Sequence, residues 1–310
     1  PPLAERLAKA LAPLEDDGAL LLDESDLPPS VTLLELYDDD IAGDPRAIAG
    51  RWMKNNVTAA GAAGTQQPRD LAALVGQAPA GPLRIDLRRD GPHALVGGTT
   101  GSGKSEFLQT WILALAAEHS PDRLNLLLVD YKGGSAFGEC VQLPHAVGLV
   151  TDLTPHLVTR ALTSLRAELK RREETLAAKN AKDLLTLEER GDPDAPPALA
   201  IVIDEFAALV TEVPDFVDGV IDIAQRGRSL GLHLVMATQR PAGVIKESLR
   251  ANTNLRIALR VADEADSQDV LGIDRAAHFD PSTPGRAAAK LGAGRVRDFQ
   301  AAYVGGRTGQ

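Results

Sequence analysis

Residues 98–105 read Gly98-Thr99-Thr100-Gly101-Ser102-Gly103-Lys104-Ser105 and fit G-x-x-x-x-G-K-[ST] at every fixed position. A loop of this kind works only where a buried strand hands over to a helix, so it constrains the fold more than any other stretch. Both flanks comply. Ala94-Leu95-Val96 before it is an apolar run of strand character, and Phe107, Leu108, Thr110, Trp111, Ile112 and Leu115 after it predict a helix. The loop glycines leave the backbone free to turn its N–H groups onto phosphate oxygens, where the positive end of the following helix adds its attraction. The pattern predicts a nucleoside triphosphate site made by Gly98, Thr99, Thr100, Gly101, Ser102, Gly103, Lys104, Ser105 and Glu106. Lys104 is expected to reach the β and γ phosphates, and the Ser105 hydroxyl to ligate Mg²⁺.

Apolar runs with polar ends recur downstream. Leu124 to Val129 ends at Asp130-Tyr131-Lys132-Gly133-Gly134, and Leu199 to Ile203 delivers Asp204-Glu205. A carboxylate at such a strand end holds the magnesium shell, and a Glu beside it polarises the water that attacks the γ phosphate. Asp130 competes with Asp204 for the metal. Asp204 is preferred, because only it is followed by Glu and its strand is the second after the loop. A further strand, Leu232 to Ala237, ends at Thr238-Gln239-Arg240-Pro241. If it inserts between the loop strand and the Asp204 strand, Gln239 faces the γ phosphate and senses it. Leu255 to Val261, with Arg256 and Arg260, predicts another strand; Ala287 to Leu291 and Phe299 to Val304 predict two more at the sheet's edge. Thr154-Pro155 opens a long helix whose apolar face carries Leu157, Ala161, Leu162, Leu165 and Leu169. Acids and prolines from Glu188 to Pro197 predict a surface loop. Strands alternating with helices predict an α/β fold with a mainly parallel central sheet flanked by helices.

Residues 1 to about 90 carry no strong catalytic pattern. Leu3, Leu7, Ala10, Leu11 and Leu14 recur at helical spacing, Leu27-Pro28-Pro29 stops regular structure, and Ser30 predicts the cap of a short helix through Leu36. Asp44-Pro45 to Trp52 predicts a second helix, and the Gly/Ala/Gln tract from Ala59 to Gln67 a link. The expectation is an irregular N-terminal arm over 1–80 packed on a nucleotide-binding domain over 81–310. At 44% hydrophobic and 25% charged, the 310 residues have a globular profile, which excludes a disordered chain. No apolar run approaches the ~18 residues that span a bilayer, so this piece is expected to be soluble. Pro1 stands where a complete chain carries Met, so a longer protein is expected. A single cysteine, Cys140, excludes an internal disulfide and suits a reducing compartment. The formal net charge of −10 argues against a surface built for duplex DNA, where neutralisation of phosphates by Lys and Arg dominates.

Six stretches in order carry a family likeness: His93 to Glu106, Val129 to Gly134, Leu143-Pro144-His145, Ile203-Asp204-Glu205-Phe206, Arg226-Gly227-Arg228-Ser229-Leu230-Gly231, and Ala237 to Pro241. Together they resemble an FtsK/SpoIIIE-type P-loop ATPase, and within it the EccC/EssC motor ATPase modules of type VII secretion systems. Val31 to Leu36 and Arg51-Trp52 with Asn55 resemble the segment that precedes a module in those proteins. The resemblance covers about residues 85–305. It implies a RecA-like domain that hydrolyses ATP with Mg²⁺, with Glu205, Lys104, Gln239 and Arg256 catalytic and Ser105 and Asp204 on the metal. It also implies head-to-tail assembly with neighbouring modules, hexameric in full context. In that assembly Arg256 is the arginine finger offered to the next subunit, with Arg260, Arg226 and Arg228 as alternatives. The function implied is protein export at the inner face of the cell membrane, the membrane being reached only through parts outside residues 1–310. An FtsK-type DNA translocase and a nucleotide-binding module silenced by its neighbours are the competing readings.

Overall fold

A computed structural model describes residues 27–38, 40–55, 70–131, 136–151, 154–241, 253–292 and 296–305. The helical spacing expected at Leu3 to Leu14, the link at 59–67 and Lys132-Gly133-Gly134 lie outside these residues. The strands are β1 (Val31–Thr32), β2 (Ala72–Ala78), β3 (Gly81–Asp86), β4 (Ala94–Gly97), β5 (Leu124–Asp130), β6 (Ala146–Val150), β7 (Ala198–Asp204), β8 (Leu232–Thr238), β9 (Leu255–Leu259), β10 (Arg286–Leu291) and β11 (Val296–Tyr303). The α-helices are α1 (Pro45–Asn55), α2 (Lys104–Glu118), α3 (Pro155–Ala178), α4 (Leu184–Glu189), α5 (Phe206–Glu212), α6 (Pro214–Gly227) and α7 (Glu264–Leu271).

All the strands join one sheet in the order β3-β2-β11-β10-β9-β4-β8-β7-β5-β6, with β1 beside the end of β11. From β9 to β6 every pairing is parallel; from β9 to β3 every pairing is antiparallel. The parallel strands β4, β5, β7 and β8 are largely buried on both faces, which is why they read as apolar runs, whereas β6 at the edge is half-exposed. Alternation sorts their side chains between two cores. Ala94, Val96, Ala198, Ala200 and Val202 pack with Phe107 and Trp111 of α2, while Leu95, Leu199, Ile201 and Ile203 pack with residues of α3, α5 and α6. The molecule is therefore a helix–sheet–helix sandwich.

β8 lies between β4 and β7, the insertion on which the expectation for Gln239 depended. β10 and β11 are interior and not at the edge, because the hairpin of β2 and β3 extends the sheet beyond them. The division expected at residue 80 falls in the turn of that hairpin, so residues on both sides of it belong to the same sheet. The short helix expected from Ser30 begins later. Thr32 and Glu35 bond reciprocally, Thr32 N to Glu35 Oε2 at 2.6 Å and Glu35 N to Thr32 Oγ1 at 3.3 Å, and cap a single 3₁₀ turn at Leu34–Leu36. α1 clasps the far end of α2: the Trp52 indole N–H donates to Ala116 O at 2.8 Å and the Asn55 amide to Glu118 O at 2.7 Å, satisfying carbonyls a helix end leaves open.

Two buried histidines tie loops to the sheet through backbone carbonyls, His119 to Ala72 O at 3.1 Å and His233 to Pro92 O at 3.0 Å. Burial, helped by Arg123 near His119 and Arg88 near His233, pushes each imidazole down to about 3 from the ordinary 6.5. The folded chain thus refuses protons that the unfolded chain accepts below 6.5. Stability is full above that pH and falls as pH drops toward 3. By pH 5 each histidine should cost about 2 kcal/mol, so the urea midpoint should drop clearly between pH 7 and pH 5. An unchanged midpoint would show that neither ring is held neutral.

Candidate functional site

The phosphate loop leaves β4 at Gly97 and enters α2 at Lys104. Gly101 (φ 77°) and Gly103 (φ 94°) sit in the left-handed region, where a Cβ is costly, so the loop's sharp turn depends on them. Gly103 caps α2 without a side chain, leaving the first N–H groups of the helix open to an anion. Ser102 is buried with its hydroxyl unpartnered among the described residues, a donor held ready inside the loop. Ser105 stands half-buried in the first turn of α2, and Glu106 is exposed. The cradle and its donors fit a polyphosphate.

Lys104 is 5% exposed and forms an ion pair with Asp204, with Glu205 Oε1 a further 3.6 Å contact. A buried ammonium needs such partners, and they hold it at the mouth of the loop. Asp130 and Asp204 are register partners on β5 and β7, but it is Asp204 that meets Lys104. Asp130 accepts the N–H of Ala136 at 2.9 Å instead. Glu205 has φ 58° and ψ 43°, a left-handed conformation costing a non-glycine residue about 1 kcal/mol, and it starts α5. Its N–H is held by Asp204 Oδ1 at 2.9 Å, so strain and hydrogen bonding fix both carboxylates at the end of β7.

Gln239 follows β8 and accepts a hydrogen bond from the Thr100 hydroxyl at 3.2 Å, which brings it to the tip of the loop. Gly98 N donates to Thr238 O at 3.1 Å, fastening the loop to the same strand. Arg256 is elsewhere. It sits at the start of β9, opposite Leu95, and its Nε donates to Thr253 O at 3.0 Å. Arg260, four residues on, lends its carbonyl to Thr99 N at 2.9 Å and Thr99 Oγ1 at 3.1 Å. At ~3.3 Å per residue the backbone of Arg256 is ~13 Å from that contact. Lys104, Asp204, Glu205 and Gln239 thus converge within one chain and Arg256 does not. Sequence reasoning missed two backbone supports of the loop, Arg260 O and a turn at Gly285; the Pro284-Gly285 pair was the legible sign of the second.

The FtsK/SpoIIIE family model matches residues 65–244, which includes the loop, both carboxylates and Gln239. The chain belongs to the FtsK/SpoIIIE family. It is 37% identical over 286 residues to the type VII secretion system protein EssC of Staphylococcus aureus, an alignment that covers 90% of this chain and 18% of that protein. The cytoplasmic domain of the Thermomonospora curvata type VII secretion ATPase EccC superposes with a TM-score of 0.77 at 36% identity, covering 90% of this chain and 33% of that one. A structure of ATPases 2 and 3 of the same EccC, in complex with a signal sequence peptide, matches with a TM-score of 0.68 at 25% identity over 80% of this chain and 46% of that one. The chain therefore spans about a fifth of its full-length relative, and its α/β sandwich is that of FtsK-like P-loop ATPase domains.

Proposed function

We infer that this chain is an ATP-hydrolysing motor module that drives protein export in a type VII secretion system. The observation that carries the reading is the convergence of Lys104 with Asp204 and Glu205 at the mouth of an intact phosphate loop. In this reading the N–H groups of residues 98–106 hold the triphosphate, and Lys104 leaves its carboxylates to meet the β and γ phosphates. Ser105 and Asp204 would hold Mg²⁺, which when bound neutralises charge on the phosphate oxygens. Glu205, released by Lys104, takes a proton from the attacking water, and Gln239 reports the γ phosphate through Thr100 to β8. Arg256 acts on a neighbouring subunit in a head-to-tail ring, hexameric in the full protein. The likeness to EssC and EccC supports a secreted polypeptide as cargo and the inner face of the cell membrane as the place of work. Among the described residues no helix is long and apolar enough to cross a membrane, so any anchor belongs to other parts of the chain.

Turnover of MgATP tests the reading, measured at rising protein concentration alone, with duplex DNA and with secretion-signal peptides, against Lys104→Ala as the blank. We expect activity that climbs with concentration, vanishes in Lys104→Ala, and responds to peptide but not to DNA, since the net charge of −10 repels the phosphate backbone. Stimulation by DNA, with submicromolar binding that falls steeply with salt, would replace export by DNA translocation.

A further inference from the structure

Thr283-Pro284-Gly285-Arg286 forms a β-turn closed by Arg286 N to Thr283 O at 3.3 Å, with proline second and a left-handed glycine third (φ 85°), the pattern of a type II turn. This turn lies against the phosphate loop. Gly285 N donates to Ser102 O at 2.8 Å, and a Cβ on Gly103 would come within 3.0 Å of Gly285 N. The carbonyl of Ser102 and the N–H of Gly103 belong to one trans peptide and point opposite ways. Tying Ser102 O to the turn therefore aims Gly103 N–H away from it. The turn is itself secured from β11: Ala301 N donates to Gly285 O at 2.8 Å, and the amide of Gln300, a residue 2% exposed, donates to Pro284 O at 2.9 Å. Arg286 also reaches the N-terminal stretch, donating to Pro28 O at 3.2 Å.

We propose that Gly285 is a positioning residue of the nucleotide site, setting the orientation of the Ser102–Gly103 peptide so that its N–H meets a phosphate oxygen. Arg260 O fixes the loop's entry at Thr99, and Gly285 N fixes its exit at Ser102. The two supports bracket the loop, one on each side of Thr100 and Gly101. The inference rests on reading residues 98–106 as the nucleotide site, and it makes the antiparallel extension part of that site.

The choice of glycine follows from the same geometry. A Cβ at residue 285 would lie 2.7 Å from Gln300 Nε2 and would meet the left-handed backbone penalty as well. Gly285→Ala displaces the Gln300 amide from Pro284 O and strains the left-handed turn that holds Ser102 O. Misaiming one N–H that binds an anion forfeits a charge-assisted bond, so affinity for ADP and ATPγS should fall by about tenfold or more. Gln300→Leu keeps the side-chain volume, removes the bond to Pro284 O and should weaken nucleotide binding by about threefold to tenfold.

The experiment titrates ADP and ATPγS into wild type, Lys104→Ala, Gly285→Ala and Gln300→Leu. Thermal melting and hydrogen exchange across 99–106 are followed in the nucleotide-free proteins. The expected result is weaker binding and faster exchange in the loop for both turn variants, with exchange in β5 and β7 unchanged and the KM for ATP raised more than kcat is lowered. A purely structural turn would lower the melting temperature and leave affinity alone. Folded Gly285→Ala and Gln300→Leu proteins that bind within twofold of wild type overturn the proposal; if only Gln300→Leu folds, its affinity decides. Wild type that binds no nucleotide overturns the reading of the site, whereas wild type that binds while Lys104→Ala does not leaves that reading standing whatever Gly285 shows.

Discussion

Glu205→Gln is expected to bind ATP as wild type does and to turn it over about 10²- to 10⁴-fold more slowly, the range that a positioned general base contributes. The exchange keeps the size of the side chain and its ability to hydrogen-bond, and removes only the charge that draws a proton from water. The fold should tolerate it, because Lys104 keeps its ion pair with Asp204 when the 3.6 Å contact to Glu205 Oε1 loses its charge. The left-handed backbone of Glu205 and its bond to Asp204 Oδ1 do not involve the carboxylate that is changed. Phosphate release with radiolabelled ATP, beside a nucleotide titration, separates chemistry from binding. Hydrolysis at the wild-type rate would take Glu205 out of the reaction and return attention to Asp130, the register partner of Asp204 on β5.

What was legible in the chain follows from what buries it. β4, β5, β7 and β8 are covered on both faces, so they appear as unbroken apolar runs, and their polar termini mark the end of the sheet where the phosphate loop lies. β2 and β3 gave no such trace. β2 carries Gly76 at an irregularity in its register and β3 begins at Gly81-Pro82, residues that weaken any strand pattern. β1 is two residues long and owes its existence to Ala302 and Tyr303 across from it. The missed hairpin is why β10 and β11 were expected at an edge they do not occupy. Residues that carry chemistry were legible because loop binding needs fixed types at fixed spacing. The turn at Gly285 shows itself as Pro284-Gly285, but its contact with the loop does not, because it acts through backbone atoms 182 positions downstream of Gly103, and a hydrogen bond from N–H leaves no mark on residue type.

Arg256 tests whether the site is complete in one chain. Its guanidinium is tied to Thr253 O at the start of β9, remote from the end where Arg260 O holds Thr99, so within one chain it does not meet the phosphates. If it acts, it acts on a neighbour. An arginine supplied this way is worth roughly 10³ to 10⁵ in rate. Arg256→Ala should therefore lose that factor at concentrations where wild type associates, and should keep ATP affinity within a few-fold, because Arg256 lies at the start of β9, about four residues from the carbonyl that holds Thr99. The mixture with Glu205→Gln is the sharper measurement. Each variant is expected to be inactive alone, but if the modules assemble head to tail some interfaces would join the intact Arg256 of one subunit to the intact Glu205 of the next, so activity should return on mixing and titrate with the ratio. Full turnover by Arg256→Ala alone would exclude it. The same complementation would then be run on Arg226, which is held by Asp222 at 3.2 Å and Glu173 at 3.8 Å, on exposed Arg228 beyond α6, and on half-buried Arg260 beside the loop. Of these, Arg260 alone lies close enough to its own phosphate loop to act without a partner, and only its variant should leave mixed assemblies no more active than either variant alone.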